Sequence, residues 1–135
     1  MTGDERFRAL AEGASVTLTR QRWHSAFVQC HGLAGHGDAL VDLAQLTGDP
    51  VHLGRARTLP AVIHTRHMLR DGLMVAPDES GREADVSFNI GLSGVVGFLL
   101  RLRDGGHRWW LPDEVLHLPT PGAGPRTGPD DLGGR

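Results

Sequence analysis

The string QCHGLAGHG, residues 29–37, holds the one place where neighbouring side chains could act together on a reactant. Cys30 is the single cysteine of the chain and stands directly before His31. A lone cysteine forms no intrachain disulfide, which leaves an inert buried thiol, a redox site, a nucleophile or a metal ligand. Thiolate sulfur and neutral imidazole nitrogen both suit zinc, and a catalytic zinc usually takes three protein ligands and keeps one position open. This string supplies two. Sequence neighbours point about 100° apart on a regular helix, so joint ligation of one ion needs irregular backbone, which glycine permits. Gly32 and Gly35 are therefore the candidate turn residues of the site. From the residues alone, a metal pair and a buried thiol beside a capping histidine both stand open.

The remaining polar residues invite plainer readings. His36 is expected to cap the helix that follows rather than to collect adventitious metal. His64 and His67 share a helical face at i and i+3, where a solvated surface is expected before a chelate. His24, His52, His107 and His117 have no spacing that singles them out. Asp78, Glu79, Glu83 and Asp85 read as a solvated loop rather than an acid and base pair. Gly91 and Gly94 lack the lysine and the preceding strand of a phosphate loop, so close helix packing is expected there. Trp109 and Trp110 are expected to cover an apolar end of the domain rather than to recognise a peptide.

These residues must be positioned by helices. Two segments look alike when placed 59 residues apart: GLAGHGDALVDL from Gly32 and GLSGVVGFLLRL from Gly91. Each reads G-L-small-G and continues into an apolar run of helical length, the pattern of stacked helical pairs. In the first copy Asp38, Asp42 and Gln45 form one narrow polar stripe and apolar residues fill the rest, so both copies are expected as buried inner helices. Between them Asp49-Pro50 signals a start, and an outer helix is expected to about Arg70, with Pro60 giving a kink or a late start. Ala56, Leu59, Val62, Ile63 and Leu69 would face inward, and Asp71-Gly72 would end the helix. The turn signal from Asp78 to Gly81 predicts an irregular loop or small hairpin before the last inner helix. Glu5 to about Ala11 reads as the end of another helix, and Val16 to Leu18 is ambiguous. Residues 119–135, rich in Gly and Pro, are expected as a disordered tail behind a domain at 1–118.

Composition excludes several classes of function. A formal charge of -2 offers nothing to a polyanion, so no nucleic-acid partner is expected. All 14 basic residues are arginine, from which no function follows. The polar start MTGDERFR is no secretory signal, and Gly91 to Leu100 is short of the roughly 18 residues of a spanning helix, so a cytoplasmic protein is expected.

CHGLAG, the buried helix behind it, the ending LAQLTGDP and the closing block DVSFNIGLSGVVGFLLRL together resemble the lanthionine synthetase C family over about residues 5–118. The end of the chain looks most like the cyclase domains fused behind kinase-like domains in class III/IV synthetases. The resemblance implies an all-α fold, here part of an α/α toroid of stacked inner and outer helical hairpins. It implies thioether ring closure on a precursor peptide whose Ser and Thr have been dehydrated, with zinc held by two cysteines and one histidine. Cys30 and His31 match the family's adjacent cysteine and histidine, whereas this chain has no second cysteine. The family's cyclase is also longer, so the chain is expected to be its carboxy-terminal sector. No catalytic acid or base is carried over, and activity would require an upstream synthetase chain. The alternatives are a non-catalytic helical module that binds a peptide or protein, and a redox sensor using Cys30. A sector cut from a closed ring should expose apolar helix faces and self-associate.

Overall fold

The computed structural model describes residues 5–108. Within them the chain is all-α apart from one small ribbon: α1 (Glu5–Arg20), a 3-10 turn (Gln21–Trp23), α2 (Leu33–Thr47), α3 (Pro50–Ala56), α4 (Leu59–Arg66), β1 (Met68–Arg70), β2 (Leu73–Val75) and α5 (Leu92–Asp104). The expected tail, with Trp109, Trp110 and His117, lies outside the described residues.

Helix α2 packs against both α3 and α5. Its buried face carries Leu33, Ala34, Leu40 and Val41, which join Ala56, Leu59 and Val62 on one side and Val95 and Phe98 on the other in one core. At Gly37 any Cβ would run into the Phe98 ring, so this glycine sets the approach of α2 to α5. The Asp49 carboxylate caps α3 by accepting from the Val51 N–H at 2.9 Å, and Pro50 takes the first helical position. The outer segment then breaks, and α4 restarts with Pro60 in its first turn, the late start that proline favours.

Three expectations are corrected. The outer helix stops at Arg66 rather than Arg70, because Asp71 (φ 53°) and Gly72 (φ 77°) both adopt left-handed backbone and close a two-residue hairpin between β1 and β2. Leu69 consequently lies on a strand and is 69% exposed instead of facing the core. At the other end, residues 5–11 are not the end of a helix but its first half; α1 continues through Val16 to Leu18. There the hydroxyls of Thr17 and Thr19 bond back to the carbonyls of Gly13 and Ser15 and satisfy themselves within the helix. Burial of the inner helices is also incomplete, since Leu46, Val96 and Leu100 are exposed.

The internal repeat exists in the backbone. Leu33 N–H donates to Ala26 O at 2.8 Å, and Leu92 N–H donates to Asp85 O at 2.7 Å. Gly32 and Gly91 cap their helices with nearly the same extended dihedrals. Carbonyl oxygens six residues back fill the space a Cβ would need: Ala26 O at Gly32, Gln29 O at Gly35, Asp85 O at Gly91 and Phe88 O at Gly94. Gly91 and Gly94 thus press on the loop before their own helix rather than on another helix. The obstruction is backbone and cannot swing aside, so Gly35→Ala is expected to cost about 1–3 kcal/mol. Urea denaturation checks this, and a loss below about 0.5 kcal/mol, the scatter of ordinary surface changes, would contradict it.

Candidate metal centre

The loop before α2 presents Cys30 and His31 to solvent. Two bonds brace it from the matching loop of the second copy: the N–H groups of Gln29 and Cys30 both donate to Asn89 O, at 2.9 and 3.1 Å. Asn89 and Ile90 occupy in the second copy the places of Cys30 and His31, so the repeat carries ligand chemistry once and backbone support once.

A buried polar cluster anchors the loop from behind. Gln29 donates through Nε2 to Asp38 Oδ2 at 2.7 Å. Asp38 pairs through Oδ1 with Arg101 Nη1 at 3.0 Å, both side chains being 6% exposed. The same nitrogen donates to Asp38 O at 3.2 Å, while Nη2 reaches Asp42 Oδ1 at 2.5 Å and Gln45 Oε1 at 3.2 Å. Nε donates to Gly106 O at 3.1 Å, which places all five guanidinium donors. Asp42 also pairs with Arg108. The polar stripe Asp38, Asp42 and Gln45 is therefore the seam between the two inner helices, and its continuation reaches the residue before Cys30.

At the surface, Cys30 Sγ lies 2.9 Å from His31 Nδ1, and His31 Nε2 lies 3.0 Å from Glu79 Oε1. Glu79 comes from a small hairpin bridged by Pro77 and Ala84 and closed by Asp78 N–H to Glu83 O at 2.7 Å. Hydrogen bonds, first from the Ser80 hydroxyl, hold the Asp78 carboxyl below the ordinary carboxylate range, so Asp78 serves the turn and Glu79 projects from it. The loop is exposed, as expected, but its Glu79 is not a bystander. A cavity of about 400 Å³ adjoins Cys30 and is lined by Gln29, Cys30, Phe88, Asn89 and Arg108.

The donor set fits zinc. Zn–S near 2.3 Å and Zn–N near 2.0–2.1 Å in tetrahedral geometry put two ligands about 3.6 Å apart, so a small opening of the Sγ–Nδ1 contact admits the ion. Gly32 and Gly35 follow the pair and let the loop fold back on itself, since Gly32 lies against the backbone of Ala26 and Val28 and Gly35 against that of Gln29.

The other histidines separate by environment. His36 is no cap: it sits inside α2, the helix has no side-chain cap at Gly32, and its Nδ1 is buried without a hydrogen-bond partner. Burial first, and then the charge of His31, lower its pKa. His64 and His67 stack, with ring centroids 5.4 Å apart, and His67 Nδ1 meets the His64 carbonyl, so the two do not converge on an ion. His52 is fully buried between α1 and α3. Its Nδ1 meets Ser15 Oγ at 2.9 Å and its Nε2 meets Glu12 Oε1 at 3.0 Å, while Arg55 donates to Ser15 Oγ at 2.7 Å. With Arg55 donating to Ser15, the Ser15 O–H donates to Nδ1 and Nε2–H donates to Glu12, a satisfied structural network.

Residues 2–112 match the family model described as Lanthionine synthetase C-like protein. With an all-helical fold that agrees with it, this match places the chain in the lanthionine synthetase C-like family. Its function is accordingly related to that of lanthionine synthetase cyclases. No curated protein matches the chain. No helix among the described residues is long and apolar enough to cross a membrane.

Proposed function

We propose that the chain is the carboxy-terminal sector, residues 1–118, of a zinc-dependent cyclase that closes thioether rings in a ribosomally made precursor peptide. The supporting observation is the facing of Cys30 Sγ and His31 Nδ1 at 2.9 Å on an exposed loop beside a cavity. A zinc ion held there would favour the thiolate form of a peptide cysteine, whose free thiol is mostly protonated at neutral pH. The peptide sulfur then bonds to the β-carbon of a dehydroalanine or dehydrobutyrine, and the α-carbon takes up a proton. Cys30 and His31 would hold the ion, while Asn89 O fixes the amides of the loop and Gln29 ties it to the Asp38–Arg101 pair. The second cysteine comes from an upstream synthetase chain of the kinase-fused class, and the complex works in the cytoplasm.

The addition leaves peptide mass unchanged, so ring closure is read as loss of alkylatable peptide thiol. The chain co-purified with sectors supplying the missing cysteine is expected to hold zinc and close rings. A reconstituted complex without zinc would overturn the proposal.

One observation favours a second reading. Val86, Ile90, Val96 and Leu100 are exposed, and a cavity of about 710 Å³ lies along α5 beside three of them. A non-catalytic module could bind a peptide or another copy through this face, and its binding would be indifferent to chelator.

A further inference from the structure

We propose that Glu79 is a third protein ligand of the metal centre, so that Cys30, His31 and Glu79 together hold a divalent ion of the zinc class within this one chain. The inference rests on the metal reading above and supplies, for the chain by itself, a ligand that the reading sought elsewhere.

Ligand atoms of the three residues all lie within 4.8 Å of one another. Cys30 Sγ is 2.9 Å from His31 Nδ1, and Glu79 Oε1 is 3.0 Å from His31 Nε2. Zinc is bound by cysteine sulfur, histidine nitrogen and carboxylate oxygen alike, and in tetrahedral geometry such ligands stand about 3.4–3.6 Å apart. The three side chains are thus gathered on the scale of one ion. An ion takes one nitrogen of the ring, so a turn of the imidazole or of the Glu79 stem completes the site. With side chains 59% and 51% exposed, His31 and Glu79 have room for that turn.

Stability does not account for the grouping, because exposed pairs contribute little. A thiolate and a carboxylate this close repel each other unless a cation lies between them, and the two together neutralise a divalent ion. The fold delivers Glu79 from a separate hairpin. There Asp78 serves the turn by accepting from the Ser80 hydroxyl at 2.7 Å, and Gly81 takes left-handed backbone. A comparable group, Glu12, Asp49 and His52, already has a cation beside it, Arg55 Nη1 at 3.7 Å from Glu12 Oε2, and the Asp49 carboxylate caps α3. In the assembled cyclase an arriving cysteine would make a fourth protein ligand. A catalytic zinc keeps one position open, so Glu79 gives up its place on assembly.

The test is titration of the full-length chain, stripped of metal and kept reduced, with cobalt(II), followed by competition with zinc. The expected result is a single cobalt per chain with a thiolate-to-cobalt charge-transfer band. Glu79→Ala should weaken cobalt and zinc binding at least about 10-fold, since loss of even an outer partner of a ligand costs about 10–100-fold. Glu79→Cys should bind again and intensify the band with a second sulfur, which a residue that merely orders the hairpin would not do. Unchanged affinity in Glu79→Ala, no added sulfur absorption in Glu79→Cys, or no band from the chain alone overturns the role of Glu79. The metal reading then stands if the chain reconstituted with the upstream sectors shows a band that depends on Cys30, and falls if it shows none.

Discussion

Arg101→Met is expected to destabilise the chain by about 3–5 kcal/mol, the cost of leaving a buried charge without its partner. The guanidinium satisfies Asp38, Asp42, Gln45 and the carbonyl of Gly106 at once, and the Asp38 side chain is only 6% exposed. Methionine fills similar volume but meets none of these acceptors. Against a total of about 5–15 kcal/mol for a typical domain, the loss is large. With a urea slope of about 1–3 kcal/mol/M, the midpoint should fall by at least about 1 M. Asp38 also holds Gln29, so the loop of Cys30 should loosen in the same variant, seen as faster amide exchange at Gln29 and Cys30. A midpoint within about 0.3 M of the parent would show that the cluster is solvated and not a buried seam. Replacing Arg101 and Asp38 together by apolar residues should cost less than Arg101→Met, because the buried Asp38 charge is then not left behind and Asp42 keeps its pair with Arg108.

Cys30→Ala is expected to abolish ring closure in the reconstituted complex. Loss of an outer partner of a metal ligand typically costs about 10–100-fold in affinity or activity, and loss of the sulfur itself should exceed that. Stability should hardly change, since Cys30 is exposed and the bonds that shape its loop come from backbone groups of Ala26, Phe27 and Asn89. This separation of effects is diagnostic: Arg101→Met lowers the melting midpoint and Cys30→Ala leaves it in place. Ring closure that survives Cys30→Ala would remove this sulfur from the chemistry.

The two inner helices were legible because their signals are local. G-L-small-G followed by an apolar run records both the tight turn and the buried helix, and Asp49-Pro50 records a cap and a first turn. The ribbon at Met68–Val75 was missed because Asp71-Gly72 serves equally as a helix stop and as a hairpin turn, and only pairing across the turn decides. The seam escaped for a different reason. Asp38, Asp42 and Gln45 declare a stripe, but a stripe on a helix ordinarily faces water, and only the packing of α5 brings Arg101 onto it. The one hint was position, since Arg101 lies 59 residues after Asp42 and so at the matching place in the repeat. Glu79 carried no signal at all: its meeting with His31 depends on how the hairpin folds over the loop.

Cobalt tests the central claim most directly. Added to the chain reconstituted with the upstream sectors, cobalt(II) should give an intense thiolate-to-metal charge-transfer band, part of which disappears in Cys30→Ala. A spectrum identical with and without the Cys30 sulfur would contradict the assignment of Cys30 and His31 as metal ligands.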